Sequence, residues 1–522
     1  MASSTVQRTV TFSFEGRVLH GVEGEPVAKA LFAAGVRTLS YSVKYKRPRG
    51  IFCARGRCVA CHMSIDGVPG VPTCITPLRN GMKIERENYP PFYGPLATAF
   101  VRLIPLPAGF YYRMFTRPAL LQKIFLRSLR RMAGVGRIPL RDAPGSPAAA
   151  SDRVATLPVK DAYDVVVVGS GVSGMSAALS SAHHGLDVLL VDEYGVPGGH
   201  SFGFQPDAEL TSTRDQLIEK IKGHVSIQYR PHITAQGFYP PNTLLLDPGG
   251  SAGSSVAKTS SGRSAMNRSP ADDGTDAKSS APRAGMRRVR ARSFVFATGA
   301  NDLVPLFENN DTPGIFGERA IRLLLERDTW RPGRKAVVYG AGTPLYVTAE
   351  LLLHHGIEVV AVVDPTHATS GEQNRGALDT IRTITNAMVT AVKGGTCLRA
   401  VEVTRVTSSE FATDRKGATG SEHTGGREKF SLPCDLLCIA LPGQPAYELP
   451  YQAGFEYALS ESPLEEFRVM RPATRSMTTS GELEGDAIPF FIVGEASGDT
   501  DWRSKIESGK KAGAQAAESI RT

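Results

Sequence analysis

At 522 residues the chain is long enough for about three domains. A hydrophobic share of 41% and a charged share of 21% are those of an ordinary globular protein and exclude a disordered or fibrous chain. No uninterrupted apolar run is long enough to span a bilayer, which excludes an integral membrane protein, while the formal net charge of +9 raises the question of an anionic partner.

The first residues, Met1-Ala2-Ser3-Ser4, lack the charged and apolar regions of a secretory leader. Strand-like alternation begins at Thr9 and runs to Phe14, with a second short strand over Arg17 to Leu19 and a helix over Pro26 to Ala34. Four cysteines follow: Cys53, Cys58, Cys61 and Cys74. The first three have the C-x4-C-x2-C spacing of plant-type ferredoxins, in which one irregular loop wraps three thiolates around a 2Fe–2S cluster and a later segment supplies the fourth. Arg49-Gly50 and Arg55-Gly56-Arg57 give that loop the glycine and positive charge that let backbone amides approach sulfur. Structural zinc also takes four thiolates, but zinc knuckles carry two paired C-x2-C units and this chain has one. A disulfide framework belongs to small secreted domains with many cysteines. Clustered thiols need a reducing compartment, so the cytoplasm is expected, with the mitochondrial matrix as the alternative. Cys61 to Ile65 with the turn Asp66-Gly67 reads as a hairpin. Residues 9 to 90 thus have the pattern of a β-grasp ferredoxin-like domain.

Between Glu87 and Asp142 there is no acidic residue, and nine Lys or Arg residues in that segment match the whole charge excess. Aromatic residues from Phe110 to Phe125 interleave with them, which is a feature of nucleic-acid binders, and Leu120 to Met132 has the amphipathic look of a membrane-surface helix. The favoured reading is an interdomain helix whose aromatics pack, with no nucleic acid and with peripheral membrane contact as the less favoured alternative. Ala143 to Ser151 reads as a linker.

From Asp161 long apolar strands alternate with helices. The strand Asp164 to Val168 leads into Gly169-Ser170-Gly171-Val172-Ser173-Gly174, a helix over Met175 to His184, and a second strand ending in Asp192-Glu193. A lone G-x-G-x-x-G is weak, but with strand, helix, second strand and an acidic residue about twenty positions on it reads as a dinucleotide site. The glycines admit a pyrophosphate at the positive end of the helix, and Asp192, or its neighbour Glu193, is expected on a ribose. A second unit repeats the pattern: the strand Ala336 to Tyr339, then Gly340-Ala341-Gly342-Thr343-Pro344-Leu345, then a strand reaching Asp364. Leu345 replaces the third glycine, and Asp364 favours NAD over NADP. FAD in the first unit is expected, with NAD in the second if that site is competent. The apolar strand ending in Ala297-Thr298-Gly299-Ala300 reads as the crossing segment of such flavoproteins, and Gly494-Glu495 precedes a helix carrying Gly509 and Gly513. Gly249 to Gly285 and Ser408 to Glu428, poor in large apolar residues, read as flexible insertions. No cysteine lies between Cys74 and Cys397, so the FAD unit carries no redox-active C-x2-C, and Cys434 and Cys438 read as structural.

The expected fold class is therefore α/β: a β-grasp 2Fe–2S ferredoxin-like domain followed by a two-dinucleotide-binding flavoprotein fold. The expected limits are 1–92 for the ferredoxin-like domain, 93–160 for the basic segment and linker, 161–325 and 465–522 for the two parts of the FAD domain, and 326–464 for the NAD-binding-like domain.

The chain resembles the α-type subunits of heterotetrameric sarcosine oxidase and their relatives, among them opine oxidases, hydrogen cyanide synthase and dye-linked proline dehydrogenase. The resemblance is carried by Tyr45 to Gly50, Pro107 to Tyr112, Val191-Asp192-Glu193, Gly198-Gly199, Ala297 to Ala300 and Asn309 to Gly314. It implies FAD in the first nucleotide unit, held also by Gly199, Thr298, Gly299, Gly494 and Glu495, NAD in the second at Gly340, Gly342 and Asp364 only if that site is competent, and 2Fe–2S on the cysteine loop. It further implies an electron-handling subunit that partners an amine-oxidising flavoprotein chain and a small-molecule electron donor or acceptor. The sequence departs from relatives at Asn301-Asp302-Leu303 and at Glu495, and ends near residue 522 without a folate-binding portion, so tetrahydrofolate chemistry is not expected. No substrate acid or base stands out. A self-contained NADH-dependent reductase and a non-catalytic scaffold are the alternatives.

Overall fold

The computed structural model describes residues 8–42, 47–87, 120, 122–123, 126, 159–247, 286–366, 381–406, 427–460, 469–473, 478–480 and 488–521. The linker, nearly all of the basic segment, the insertion at 249–285 and most of that at 408–428 lie outside them.

Strands Thr9–Phe14 and Arg17–Val22 pair as a hairpin whose turn, Glu15-Gly16, has both residues at positive φ. Alternation sends Val10, Phe12 and Phe14 inward. The five-stranded sheet runs Arg17–Val22, Thr9–Phe14, Lys83–Arg86, His62–Ile65, Val68–Pro72, with Thr9–Phe14 and Lys83–Arg86 parallel and the other pairs antiparallel. Helix Val27–Ala33 covers it with Val27, Ala28, Ala30 and Leu31 buried, and Pro26 sits just outside in an extended conformation, not in the helix. This is the β-grasp arrangement.

The second sheet contains the parallel strands Ile227–Arg230, Val188–Val191, Ala162–Val168, Arg287–Phe296 and Pro489–Ile492. Its central strands read as unbroken apolar runs because both faces are covered. Helix Val172–His183 lies on one face, and the final helix Trp502–Arg521 packs on that helix. Their backbones approach so closely that a Cβ at Gly509 would meet the Ser173 carbonyl and one at Gly513 the Ala177 carbonyl. Helix Val172–His183 begins three residues earlier than expected. Gly171 is extended and serves as the N-cap, so Val172-Ser173-Gly174 already form the first turn.

The third sheet is parallel throughout, in the order Ile315–Gly317, Leu436–Ala440, Lys335–Gly340, Glu358–Asp364, Thr383–Thr385. A three-stranded antiparallel sheet over Ala387–Lys393, Ala400–Val406 and Arg427–Pro433 joins it, so the last residues read as insertion belong to a strand. Cys434 and Cys438 are buried here, Cys438 inside the strand Leu436–Ala440.

The ferredoxin-like sheet and this third sheet share one continuous apolar core, in which Phe32 meets Trp330 edge to face at 4.8 Å. Polar contacts fix the same seam: Lys29 Nζ donates to the Asp328 carbonyl at 2.8 Å and Gly317 N to the Phe52 carbonyl at 3.2 Å. The cysteine loop is thereby held over the junction of all three sheets.

Candidate cofactor site

The cysteine loop owes its shape to residues in left-handed conformation, Ala54, Gly56 and Val59, which fold the chain back on itself between the thiols. Cys53, Cys61 and Cys74 are buried and Cys58 is partly exposed. Their side chains meet as a chain, Cys58 to Cys53 to Cys74 to Cys61. Among the described residues no three His, Cys, Asp or Glu side chains close on a single point that a lone ion could occupy. Backbone amides point at the sulfurs: Arg55 N donates to Cys53 Sγ at 3.4 Å and Gly56 N to Cys74 Sγ at 3.3 Å. The neighbouring Cys58 and Cys74 thiols, with the Arg55 and Arg57 amides, hold the Cys53 thiol far below its usual range. Four thiols with amide donors behind them fit a 2Fe–2S cluster.

The first glycine turn divides its glycines by task. A Cβ at Gly169 would strike the Ala297 carbonyl and one at Gly174 the Gly169 carbonyl, so both serve packing. Gly171 faces open space. Helix Val172–His183 has no side-chain cap, which leaves its first amides free to face an anion. Gly198 and Gly199, both at positive φ, arch over this turn: Gly198 N donates to the Ser170 carbonyl, and a Cβ at Gly199 would reach Gly171 Cα at 2.9 Å. Gly494 sits against Ser173 on the other side. The cradle fits a pyrophosphate.

Asp192 lies at the rim, 8% exposed, accepting from Ser170 N at 2.5 Å, Ser170 Oγ at 2.7 Å and Tyr194 N at 2.8 Å. Burial pushes its carboxyl up to about 6, against the pull of the Ser170 bonds. An acid raised above its ordinary value of 3.8 costs the folded state stability, and that cost grows as pH rises from 3.8 through about 6. The cost is on the order of 3 kcal/mol at neutral pH. Asp192→Asn is expected to melt at a higher temperature than wild type when both are free of FAD at about pH 7, to lose that advantage below the ordinary carboxylate range, and to bind FAD more weakly. Thermal melts across pH with a flavin-binding titration check it.

Beside the cradle lies a buried ion network that the sequence did not advertise. Arg319, 8% exposed, reaches Asp302 at 2.9 Å, Glu318 at 3.2 Å and Glu495 at 3.0 Å. His200, next to Gly199, bridges Glu318 at 2.7 Å and Glu495 at 2.9 Å, and Lys505 closes on Glu495 at 2.8 Å. Burial alone would raise the Glu318 carboxyl, but the His200 and Arg319 charges outweigh it and hold it at about 2. Burial pulls the His200 imidazole down, and the two carboxylates leave it above its ordinary value nonetheless. Arg214 and Arg322 donate to the carbonyls of Ser201 and Gly203 and of Phe202 and Phe204, fixing the loop after Gly199. Glu495, a departure in the sequence, is thus the joint between the last helix and this network.

The crossing segment ties the two nucleotide units together: Thr298 Oγ1 donates to the Ala446 carbonyl at 2.7 Å, Ala446 N donates back to the Gly299 carbonyl, and Gly299 is at positive φ. Gly340, Gly342 and Asp364 lie apart from the cradle, on the third sheet. Gly340 allows close passage of Ala440, and Gly342, at positive φ, precedes helix Thr343–His354, which has no side-chain cap. Leu345 is fully buried where a third glycine would stand, and Asp364 accepts from Thr366 N and Oγ1. The Glu193 carboxylate pairs with Arg57 at 2.7 Å and Arg55 at 3.3 Å, both on the cysteine loop.

Two family descriptions match the chain: a 2Fe-2S iron-sulfur cluster binding domain over residues 7–89 and an FAD dependent oxidoreductase over residues 164–238. The sarcosine oxidase subunit alpha of Rhizobium meliloti is 29% identical over 462 residues, covering 85% of this chain and 41% of that one. The hydrogen cyanide synthase subunit HcnA of Pseudomonas aeruginosa is 34% identical over 79 residues, which are 15% of this chain and 75% of that subunit. Among solved structures, the L-proline dehydrogenase from P. horikoshii matches 99% of this chain and 74% of its own, with a TM-score of 0.59 at 18% identity, a likeness of fold. The chain spans about two fifths of the length of the sarcosine oxidase subunit. No helix among the described residues is long and apolar enough to cross a membrane.

Proposed function

We propose that this chain, which belongs to the sarcosine oxidase α-subunit-like family of FAD-dependent oxidoreductase subunits with a fused 2Fe–2S domain, relays electrons from amine or amino-acid oxidation in a partner subunit to an acceptor. When bound, FAD exchanges electrons in pairs or singly and the cluster singly, while the protein supplies position and potential. Gly171 and the uncapped helix start would hold the pyrophosphate, Asp192 the ribose, and Cys53, Cys58, Cys61 and Cys74 the irons. The observation that carries the reading is the cysteine loop seated directly against the flavin-binding sheet. The buried charges beside the cradle are paired with one another, which suits fixing a cofactor more than exchanging protons with a substrate. Substrate oxidation is accordingly assigned to a partner flavoprotein, in a hetero-oligomer, with amines of the sarcosine, proline or opine class. The matched relatives carry subunit names, which supports this assignment.

Anaerobically purified protein is expected to show flavin and cluster bands together, with iron and flavin assays to match. NADH alone is expected to leave the bands unmoved, and an amine-oxidising partner with its amine to bleach them. If NADH alone bleaches the flavin, the self-contained reductase takes the place of this reading. The uncapped helix start at Gly342, with Asp364 beyond it, is the feature that favours that second reading. A colourless, iron-free protein that cannot be reconstituted would contradict both.

A further inference from the structure

Residues 55 to 57 do two things at once. Their amides point at the thiols of Cys53 and Cys74. The Arg55 and Arg57 side chains leave the ferredoxin-like domain and grip the FAD-binding sheet at one carboxylate. Arg57 donates to Glu193 Oε2 from Nε at 3.1 Å and from Nη2 at 2.7 Å, and Arg55 Nη2 donates to Glu193 Oε1 at 3.3 Å. Arg55 also donates to the Ala300 carbonyl at 3.2 Å, in the crossing segment, and its guanidinium lies 5.2 Å from the centre of the Tyr194 ring. The Arg55 and Glu193 side chains are only 11% and 18% exposed while Arg57, at 43%, lies at the surface, so a sheltered pair with one exposed arm bridges segments 136 to 138 residues apart. Arg327, at the end of the helical segment Leu323–Arg327, adds a contact to the Ala54 carbonyl at 3.5 Å.

We propose that Arg55, Arg57 and Glu193 form a clamp that positions the cluster loop for electron exchange with the flavin, Glu193 being a positioning residue and not a ribose ligand. The proposal rests on the two-cofactor reading above. Glu193 directly follows Asp192, whose carboxylate sits on the glycine turn. One dipeptide at the end of the strand Val188–Val191 therefore serves both sites: Asp192 faces the nucleotide and Glu193 the cluster loop. A shift of the loop by an ångström would be felt at the sulfurs through the Arg55 and Gly56 amides.

The test uses the full chain with both cofactors: wild type, Arg57→Ala, Glu193→Gln and the exchange Arg57→Glu with Glu193→Arg. Flavin and iron assays establish loading first. Each variant is expected to keep FAD and cluster at wild-type stoichiometry, and dithionite is expected to reduce both. Transfer to the cluster after photoreduction of the flavin, followed by rapid freezing and electron paramagnetic resonance, is expected to slow roughly tenfold or more in the single variants. The exchange variant is expected to recover part of that loss. Amide hydrogen exchange over residues 53 to 61 is expected to quicken in the single variants, a readout independent of electron flow. Loss of FAD from Glu193→Gln alone would restore Glu193 to the ribose and overturn the clamp. Unchanged transfer and exchange rates in fully loaded variants would overturn it as well. A wild-type chain that holds no flavin or no cluster would instead sink the underlying two-cofactor reading.

Discussion

Arg319→Ala is expected to destabilise the protein by about 3–5 kcal/mol, because it removes a cation shared by three buried carboxylates, taking from Asp302 its ion-pair partner among the described residues and leaving Glu318 and Glu495 to His200 and Lys505. At a few degrees per kcal/mol the melting temperature should fall by roughly 10 °C. Arg319→Lys should recover only part of the loss, since a lysine ammonium cannot reach Asp302, Glu318 and Glu495 in the forked geometry of a guanidinium. The pH profile gives a second check. Glu318 is held below its ordinary value of 4.5, so its contribution is present above 4.5 and lost as pH falls toward about 2. His200 is held above its ordinary value of 6.5, so its contribution is present below 6.5 and lost as pH rises past its folded value. The Arg319 charge holds Glu318 down and also works against protonated His200, so the margin of the wild type over Arg319→Ala should grow as pH rises from about 2 past 4.5 and grow further as His200 loses its proton above 6.5. Melts across pH, compared between the two proteins, decide the matter.

Cys74→Ser is expected to abolish assembly of a stable cluster while leaving FAD bound. Cys74 comes from a segment after the hairpin, its thiol lies between those of Cys53 and Cys61, and Gly56 N already donates to it. Serine keeps the shape but is a harder, far less acidic donor, and the loop has no substitute thiol among the described residues within its reach. Iron content is expected to drop to background and the cluster bands to vanish, with the flavin bands kept. The same exchange at Cys438, buried in the strand Leu436–Ala440, is expected to leave iron content untouched. Iron and flavin assays on both variants check this pair of outcomes.

What could be read from the sequence was what depends on local spacing. Both glycine turns, Asp192 and Asp364 each lie within one strand–turn–helix–strand unit, and the four cysteines within one loop and the turn just past the hairpin that follows it, where hydrophobic runs and fixed intervals carry the information. The hairpin around Asp66-Gly67 was legible for the same reason. Pairings between distant segments were not. His200, Asp302, Glu318, Arg319, Glu495 and Lys505 come from five places in the chain and form no pattern until the sheets bring them together. Glu193 illustrates the limit well. Its position beside Asp192 suggested a ribose, yet its partners are Arg55 and Arg57, more than a hundred residues away. The seam of Phe32 and Trp330 is likewise a tertiary fact, since nothing near either residue marks the other.

The most direct test of the two-cofactor relay is an anaerobic reductive titration of the purified chain, followed by visible absorption and electron paramagnetic resonance. The account predicts an electron uptake equal to one FAD plus one 2Fe–2S cluster per chain, with the cluster signal appearing as electrons are shared with the flavin. An uptake equal to flavin alone, with zinc or no metal on Cys53, Cys58, Cys61 and Cys74, would contradict it.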